Sequence, residues 1–309
     1  MARDPDALTA LLAAERERLL PESDGEVGDP SVEGCEGRFG LAVVTVEGET
    51  CRTDDADVAF PVQSVVKPWV YAVALADRRD AVHDAIGVEP TGEPFDAVEL
   101  ELETGRPPNP MVNAGALMAS SLVDGSGVAD RVARVLDVCS RAAGRELHVD
   151  EEVVAAELEG ADRNRALAHL MRGGGMLARP VEEAVEVLAR VCSIAVTATD
   201  LATMAATFAG WGVRPGSDDR VLPEAVVTEV LSVMATCGMY DGSGRWIHRA
   251  GMPAKSGVSG GLLAVAPGTL GLGGWSPLLD EQGNSVRALH AGERISEELG
   301  LHQFAPRGS

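Results

Sequence analysis

Residues 39–46 near the start of this chain carry the two-residue alternation and β-branched content of a strand, and residues 261–266 and 270–275 near its end, set apart by Gly and Pro turns, read as strands as well. Nearly everything between them has helical periodicity, so the strands can find partners only if one sheet is assembled from distant segments. Residues 47–49, Glu-Gly-Glu, make a turn into a second short strand, and 245–249 is read as a further strand. Helices are expected over 6–20, 65–78, 112–122, 128–143, 150–158, 163–171, 181–192, 199–210, 223–236 and 285–299. The Gly-, Pro-, Ser- and Asp-rich stretch 21–37 reads as a long, mobile loop.

Only two of the 26 basic residues are lysines, and each has a chemically suggestive setting: Ser64-Val65-Val66-Lys67 and Lys255-Ser256-Gly257. Arginine keeps its proton inside a protein, whereas a buried ammonium can become a neutral amine and act as a base. A genome-wide arginine bias and chance Ser-x-x-Lys pairs are the plain alternative. Pro68 lacks the amide proton that would bond the Ser64 carbonyl, so a helix here must begin close to Ser64. Free amides and the helix dipole then favour negative charge developing at the serine, and Lys67 lies one turn on. Burial and a second cation would lower the Lys67 pKa, and Lys255 is the natural candidate for that cation.

Composition narrows the partners. The 309 residues, 45% of them hydrophobic, suffice for one large domain or two closely packed lobes. A formal charge of -22 opposes binding to nucleic acid or an anionic membrane, which favours a small-molecule substrate. Five cysteines without a Cys-x-x-Cys pair suit a reducing compartment, and six scattered histidines give no metal-site spacing, so no metal is expected. With no apolar leader and no spanning run, the expected location is cytoplasmic.

Several segments in order resemble the serine-dependent glutaminases: Gln63-Ser64-Val65-Val66-Lys67, Asn109-Pro110-Met111-Val112-Asn113-Ala114-Gly115-Ala116, Asp162-Arg163-Asn164, Gly238-Met239-Tyr240-Asp241 and Pro253-Ala254-Lys255-Ser256-Gly257-Val258. Trp275-Ser276-Pro277-Leu278-Leu279-Asp280 and Gly283-Asn284-Ser285-Val286 continue the match, which spans roughly residues 38 to 303. The resemblance implies an α/β (α+β) fold of the β-lactamase/DD-peptidase type, an antiparallel sheet flanked by helices plus a mainly helical lobe. It also implies hydrolysis of L-glutamine to glutamate and ammonia without a cofactor, by a homodimer or homotetramer. The chain is expected to be one catalytic domain over 1–309, with a sheet lobe from 1–63 and about 238–309 and a helical lobe from about 64–237.

By the same resemblance Ser64 would be the nucleophile and Lys67 its base, with Tyr240 relaying a proton to the leaving ammonia. Backbone amides of Ser64 and Val258 would form the oxyanion hole, and Gln63, Asn113, Glu157 and Asn164 would hold the amino-acid end of the substrate. An acid suits the α-ammonium and amides suit the α-carboxylate. Plainer roles exist: Asn113 as a helix cap, Glu157 on a solvated helix face, Asn164 as a helix-start residue, Tyr240 as a turn residue packed on the sheet. Two positions depart from the family pattern. Leu188 stands where a tyrosine is expected, the N-terminal loop, which aligns around Pro30, lacks the tyrosine expected there, and the only tyrosines are Tyr71 and Tyr240. Leu188 therefore raises an alternative, an amidase or acyl-transfer enzyme of the same fold with a more apolar amide substrate. A non-catalytic amino-acid-binding protein is a third reading. Penicillin-binding or β-lactamase activity is disfavoured, because the middle motif is Asn-Pro-Met-Val-Asn rather than Ser-Asp-Asn.

Overall fold

The computed structural model describes residues 4–92, 100–101 and 103–306. The chain opens with helix α1 (Pro5–Leu19), started by the Asp4 cap and Pro5 in its first turn. Short strand β1 (Glu26–Val27) follows, then β2 (Gly40–Thr45), β3 (Thr50–Arg52) and β4 (Phe60–Pro61). The helical middle comprises α2 (Lys67–Ala85), α3 (Asn113–Leu122), α4 (Val128–Ala143), α5 (Glu151–Glu159), α6 (Asp162–Gly173), α7 (Val181–Cys192), α8 (Ala198–Ala209) and α9 (Glu224–Cys237), interrupted by β5 (His148–Val149) and β6 (Ile194–Val196). Helix α10 (Ser243–Arg249), strands β7 (Ala254–Ser256), β8 (Gly261–Ala266), β9 (Leu270–Trp275) and β10 (Leu278–Leu279), and helix α11 (Val286–Leu299) complete it.

The two ends of the chain do build one antiparallel sheet, in the order β3-β2-β9-β8-β7. Its central register pairs Ala42 with Gly273 and Leu263 with Gly273. The side-chain period of two splits these strands between two cores. Ala42, Val44, Leu263 and Val265 join the helical middle through α8, whose Ala198, Leu201, Ala202 and Ala205 share their cluster. Leu41, Val43, Leu262 and Ala264 face the other way, onto Leu8 and Leu12 of α1 and Ala288, Ala291 and Ile295 of α11. Both faces are covered, which is why all six residues of β2, of β8 and of β9 are buried.

Three expectations change. Residues 245–249 are helical, not a strand: burial of Ser243, Trp246 and Ala250 at helical spacing defines one face, and Trp246 Nε1 donates to the Met252 carbonyl at 2.6 Å. The edge position beside β8 is filled by β7 instead. The loop 21–37 is fastened rather than loose. Buried Arg287 of α11 donates to the carbonyls of Glu22, Glu36 and Arg38 and to Ser276 Oγ, and β1 pairs with β10. Helix α2 continues past the expected end at 78, but with non-helical backbone at Arg78 (φ -147, ψ 53).

The features that place the site are local. Phe60, in the strand that leads to Ser64, stacks on Trp275 at the end of β9 with ring centroids 5.1 Å apart. Strand β4 pairs with β6, which follows α7. Trp69 of α2 stacks on Phe208 of α8 at 4.0 Å. Entry to α2 is thereby clamped between sheet and helices.

Candidate active site

Ser64 stands where β4 turns into α2. Val62 N donates to the Ile194 carbonyl at 2.8 Å, which ends the strand pairing. Gln63 then adopts a left-handed backbone (φ 48), a sparsely populated conformation for a non-glycine residue and one that surrounding structure must enforce. One 3-10 turn, Gln63–Val66, carries the serine, and Lys67 N bonds the Ser64 carbonyl that Pro68 cannot reach. The helix therefore starts at the serine, as expected, but through a tighter turn. Ser64 is partly exposed while Val65 and Val66 are buried. Gly257 closes this turn from the sheet side. A Cβ there would fall 3.1 Å from Val65 Cγ2, 3.2 Å from the Val62 carbonyl and 3.3 Å from Ser64 N, so any side chain at 257 would push the serine turn back by a few tenths of an ångström. Partly exposed Val258 comes next.

Lys67 is 2% exposed, and its ammonium donates to Asn113 Oδ1 at 2.6 Å and the Met111 carbonyl at 3.2 Å. Burial lowers its pKa to about 8. The Asn-Pro-Met-Val-Asn segment delivers those acceptors. Asn109, itself buried, accepts from Met111 N and Val112 N and donates to the Glu89 carbonyl. Gly115 lets α3 press on this turn, since a Cβ there would lie 1.9 Å from the Asn109 carbonyl oxygen. Asn113 is not a cap: Val112 occupies that position, and the Asn113 amide oxygen goes to Lys67. Its amide nitrogen is left to donate elsewhere. Among the described residues no hydrogen bond joins Lys67 Nζ to Ser64 Oγ, so Asn113 and Met111, not the serine, are the partners of Lys67 here.

Lys255 is fully buried on β7, with Nζ 2.6 Å from the Ser256 carbonyl and 4.0 Å from the centre of the Tyr240 ring. Its pKa lies well below the usual lysine value, first through burial and then through the charge of Lys67. The two lysines are coupled as expected, and burial is the larger cause at both. Burial depresses Lys67, and Lys67 in turn discourages a second ammonium at 255. Tyr240 begins a 3-10 turn, Tyr240–Gly242, again with a left-handed backbone (φ 54). Its hydroxyl donates to the Ser256 carbonyl at 3.3 Å. Burial pushes that hydroxyl up to about 12, against the opposing hydrogen-bond effects of Ser64 and Ser256. Ser256 Oγ is held by Asn284 Oδ1 at 2.6 Å. Cys192, at the end of α7, lies near enough to feel Glu157, Lys67 and Lys255, yet burial raises its thiol to about 12, too high for a ready nucleophile.

A second group adjoins Ser64 through Gln63. The Gln63 amide nitrogen donates to Glu157 Oε1 at 2.9 Å and to Asp29 Oδ2 at 2.7 Å. Glu157 is therefore not simply on a solvated face; burial raises its pKa, Gln63 lowers it, and Asp29 raises it further. Asn164 lies in the first turn of α6 and its Oδ1 is buried without a hydrogen-bond partner. Leu188 is 3% exposed within the helical core cluster, one helical turn before Cys192 and on the same face of α7. Ser64, Lys67, Tyr240, Asn113 and Lys255 thus gather about one point, and Gln63 links them to Glu157; Asn164 and Leu188 make no described polar contact with either group. Asn109, Asp29, Ser256 and Asn284 are the supporting residues that sequence reasoning left without a role. A hollow of about 940 Å³ between Trp211, Leu231, Pro267 and His302 has His302 as its one titratable lining residue and no such constellation.

An antiparallel sheet with helices on both faces and a serine at the entry of a helix that packs against it define a protein of the β-lactamase-like fold. Within that class, the glutaminase family model matches residues 33–304, and the chain belongs to the glutaminase family. A glutaminase of Clavibacter michiganensis subsp. michiganensis is 48% identical over 309 residues, covering 99% of this chain and 93% of that protein. A glutaminase of Microcystis aeruginosa is 46% identical over 267 residues, covering 86% and 79%. Among solved structures, a probable glutaminase, YbaS, superposes with a TM-score of 0.95 at 36% identity, covering 98% of this chain and 100% of that one. The glutamate form of Mglu superposes with a TM-score of 0.92 at 41% identity, covering 100% and 72%. Among the described residues no group of three or more metal-ligating side chains gathers, and no helix is long and apolar enough to cross a membrane.

Proposed function

We propose that this chain hydrolyses L-glutamine to L-glutamate and ammonia, with Ser64 as nucleophile and Lys67 as its base. The observation that carries the proposal is the buried Lys67 ammonium, whose pKa near 8 leaves a usable neutral fraction one turn from the serine. Ser64 Oγ attacks the side-chain amide carbon and passes its proton to the neutral amine. Charge on the amide oxygen is met by the backbone N–H groups of Ser64 and Val258, which the close approach at Gly257 brings toward each other. The C–N bond then breaks as the nitrogen is protonated through Tyr240, whose high pKa keeps it a donor. Water hydrolyses the acyl-enzyme by the reverse proton path, releasing glutamate and restoring Ser64. The amino-acid end is assigned to Glu157 for the α-ammonium and to the amides of Asn113 and Asn164 for the α-carboxylate, with Lys255 and Leu188 lining the pocket. The glutamate form of the similar Mglu supports this substrate class. Hydrogen bonds such as Lys67 to Ser64 commonly form only in the substrate complex.

Ammonia release from a panel of amides tests the reading. Glutamine is expected to be turned over far faster than N-acetylglutamine or apolar amides; preference for an apolar amide would favour the amidase alternative. A single catalytic domain, cytoplasmic residence and assembly as a homodimer or homotetramer belong to the same proposal. Five free cysteines support the location, and sedimentation tests the assembly.

A further inference from the structure

Asp29 carries an inference beyond the family roles. It is 6% exposed and sits where the N-terminal loop is fastened across the site. One carboxylate oxygen accepts from Ser31 N at 2.9 Å and Ser31 Oγ at 2.6 Å, and the other from the Gln63 amide nitrogen at 2.7 Å. That nitrogen has two protons, and the second goes to Glu157 at 2.9 Å. Both donors of Gln63 are therefore spent on carboxylates, which fixes its amide oxygen as the acceptor facing any other ligand. Among the described residues, neither Asp29 nor Glu157 has a cationic partner, and the second oxygen of Glu157 accepts no hydrogen bond. Two buried or half-buried carboxylates joined through one neutral amide are electrostatically incomplete. A primary ammonium completes them.

Resting on the glutaminase reading, we propose that Asp29 is a positioning residue for specificity: it locks Gln63 and, with Glu157, makes a two-carboxylate cradle that demands a free α-ammonium on the substrate. Its oxygens are already occupied, so it acts through Gln63 and through its charge rather than by touching the ligand.

The test is the kinetics of Asp29→Asn. Its amide can satisfy Gln63 or Ser31 through its oxygen but not both, and it removes the charge. KM for glutamine is expected to rise at least tenfold while kcat changes less than about threefold, and the preference for glutamine over N-acetylglutamine to fall at least tenfold. Loss of stability alone would not move that preference. Should Asp29→Asn fail to fold, Asp29→Ser, which keeps an acceptor for Gln63 without charge, is predicted to shift both quantities in the same direction. An unchanged KM and preference in either folded variant would overturn the proposal. Wild-type protein without glutaminase activity would instead sink the reading on which it rests.

Discussion

If Lys67 must be neutral to take the proton from Ser64, activity follows its titration. Burial lowers the Lys67 pKa to about 8 against a smaller raising effect of Cys192, and the ammonium form donates to Met111 O and Asn113 Oδ1. Roughly 1% of the amine is then neutral at pH 6, about 10% at pH 7 and half at pH 8. At glutamine concentrations well below KM, initial rates of ammonia release give kcat/KM, which should rise about fiftyfold from pH 6 to pH 8 with a slope near one and then level off. Burial and the charge of Lys67 also push Lys255 well below the usual lysine value, so the apparent pKa of the limb belongs to the coupled pair. Lys67→Arg keeps a charge that cannot be given up and should lower the plateau at least about a hundredfold. A flat profile over this range in folded enzyme, or an arginine variant retaining more than about a tenth of the rate, would refute the neutral-amine base.

Glu157→Gln is expected to weaken glutamine binding by about 1.5 to 3 kcal/mol, seen in KM, with equal turnover of glutamine and N-acetylglutamine by the wild type removing Glu157 from the ammonium site. Leu188→Tyr restores the family hydroxyl one turn from Cys192 and should raise glutamine turnover, at a cost of about 1–3 kcal/mol in stability because residue 188 is packed in the core; unchanged turnover in a folded variant would remove it from the pocket wall. Gly115→Ala puts a methyl 1.9 Å from the Asn109 carbonyl and should displace the Met111 and Asn113 acceptors of Lys67, lowering both melting temperature and kcat. Wild-type values for both would show that the turn yields without consequence.

The sheet was legible because its strands are short apolar runs set off by Gly and Pro turns, and the helix ends of α4 and α7 because their apolar periodicity is strong. Helix α10 was misread because seven residues hold two turns, too few for Trp246 to reveal a period. Ser64, Lys67 and Tyr240 stood out through their motifs. Asp29 did not, since its role comes from a contact 34 residues away in sequence with Gln63, and a lone acid in a Gly- and Pro-rich stretch reads as an ordinary turn residue. The coupling of Lys67 and Lys255 was legible from their motifs, whereas burial, the largest cause of both lowered pKa values, is a tertiary quantity.

Covalent capture of the nucleophile tests the central claim most directly. A glutamine-like diazoketone, incubated with the protein and followed by peptide mass spectrometry, should alkylate Ser64 once per chain, with activity lost in step and Ser64→Ala unlabelled. Labelling of Cys192 or of another residue, or full inactivation with Ser64 unmodified, would contradict the account.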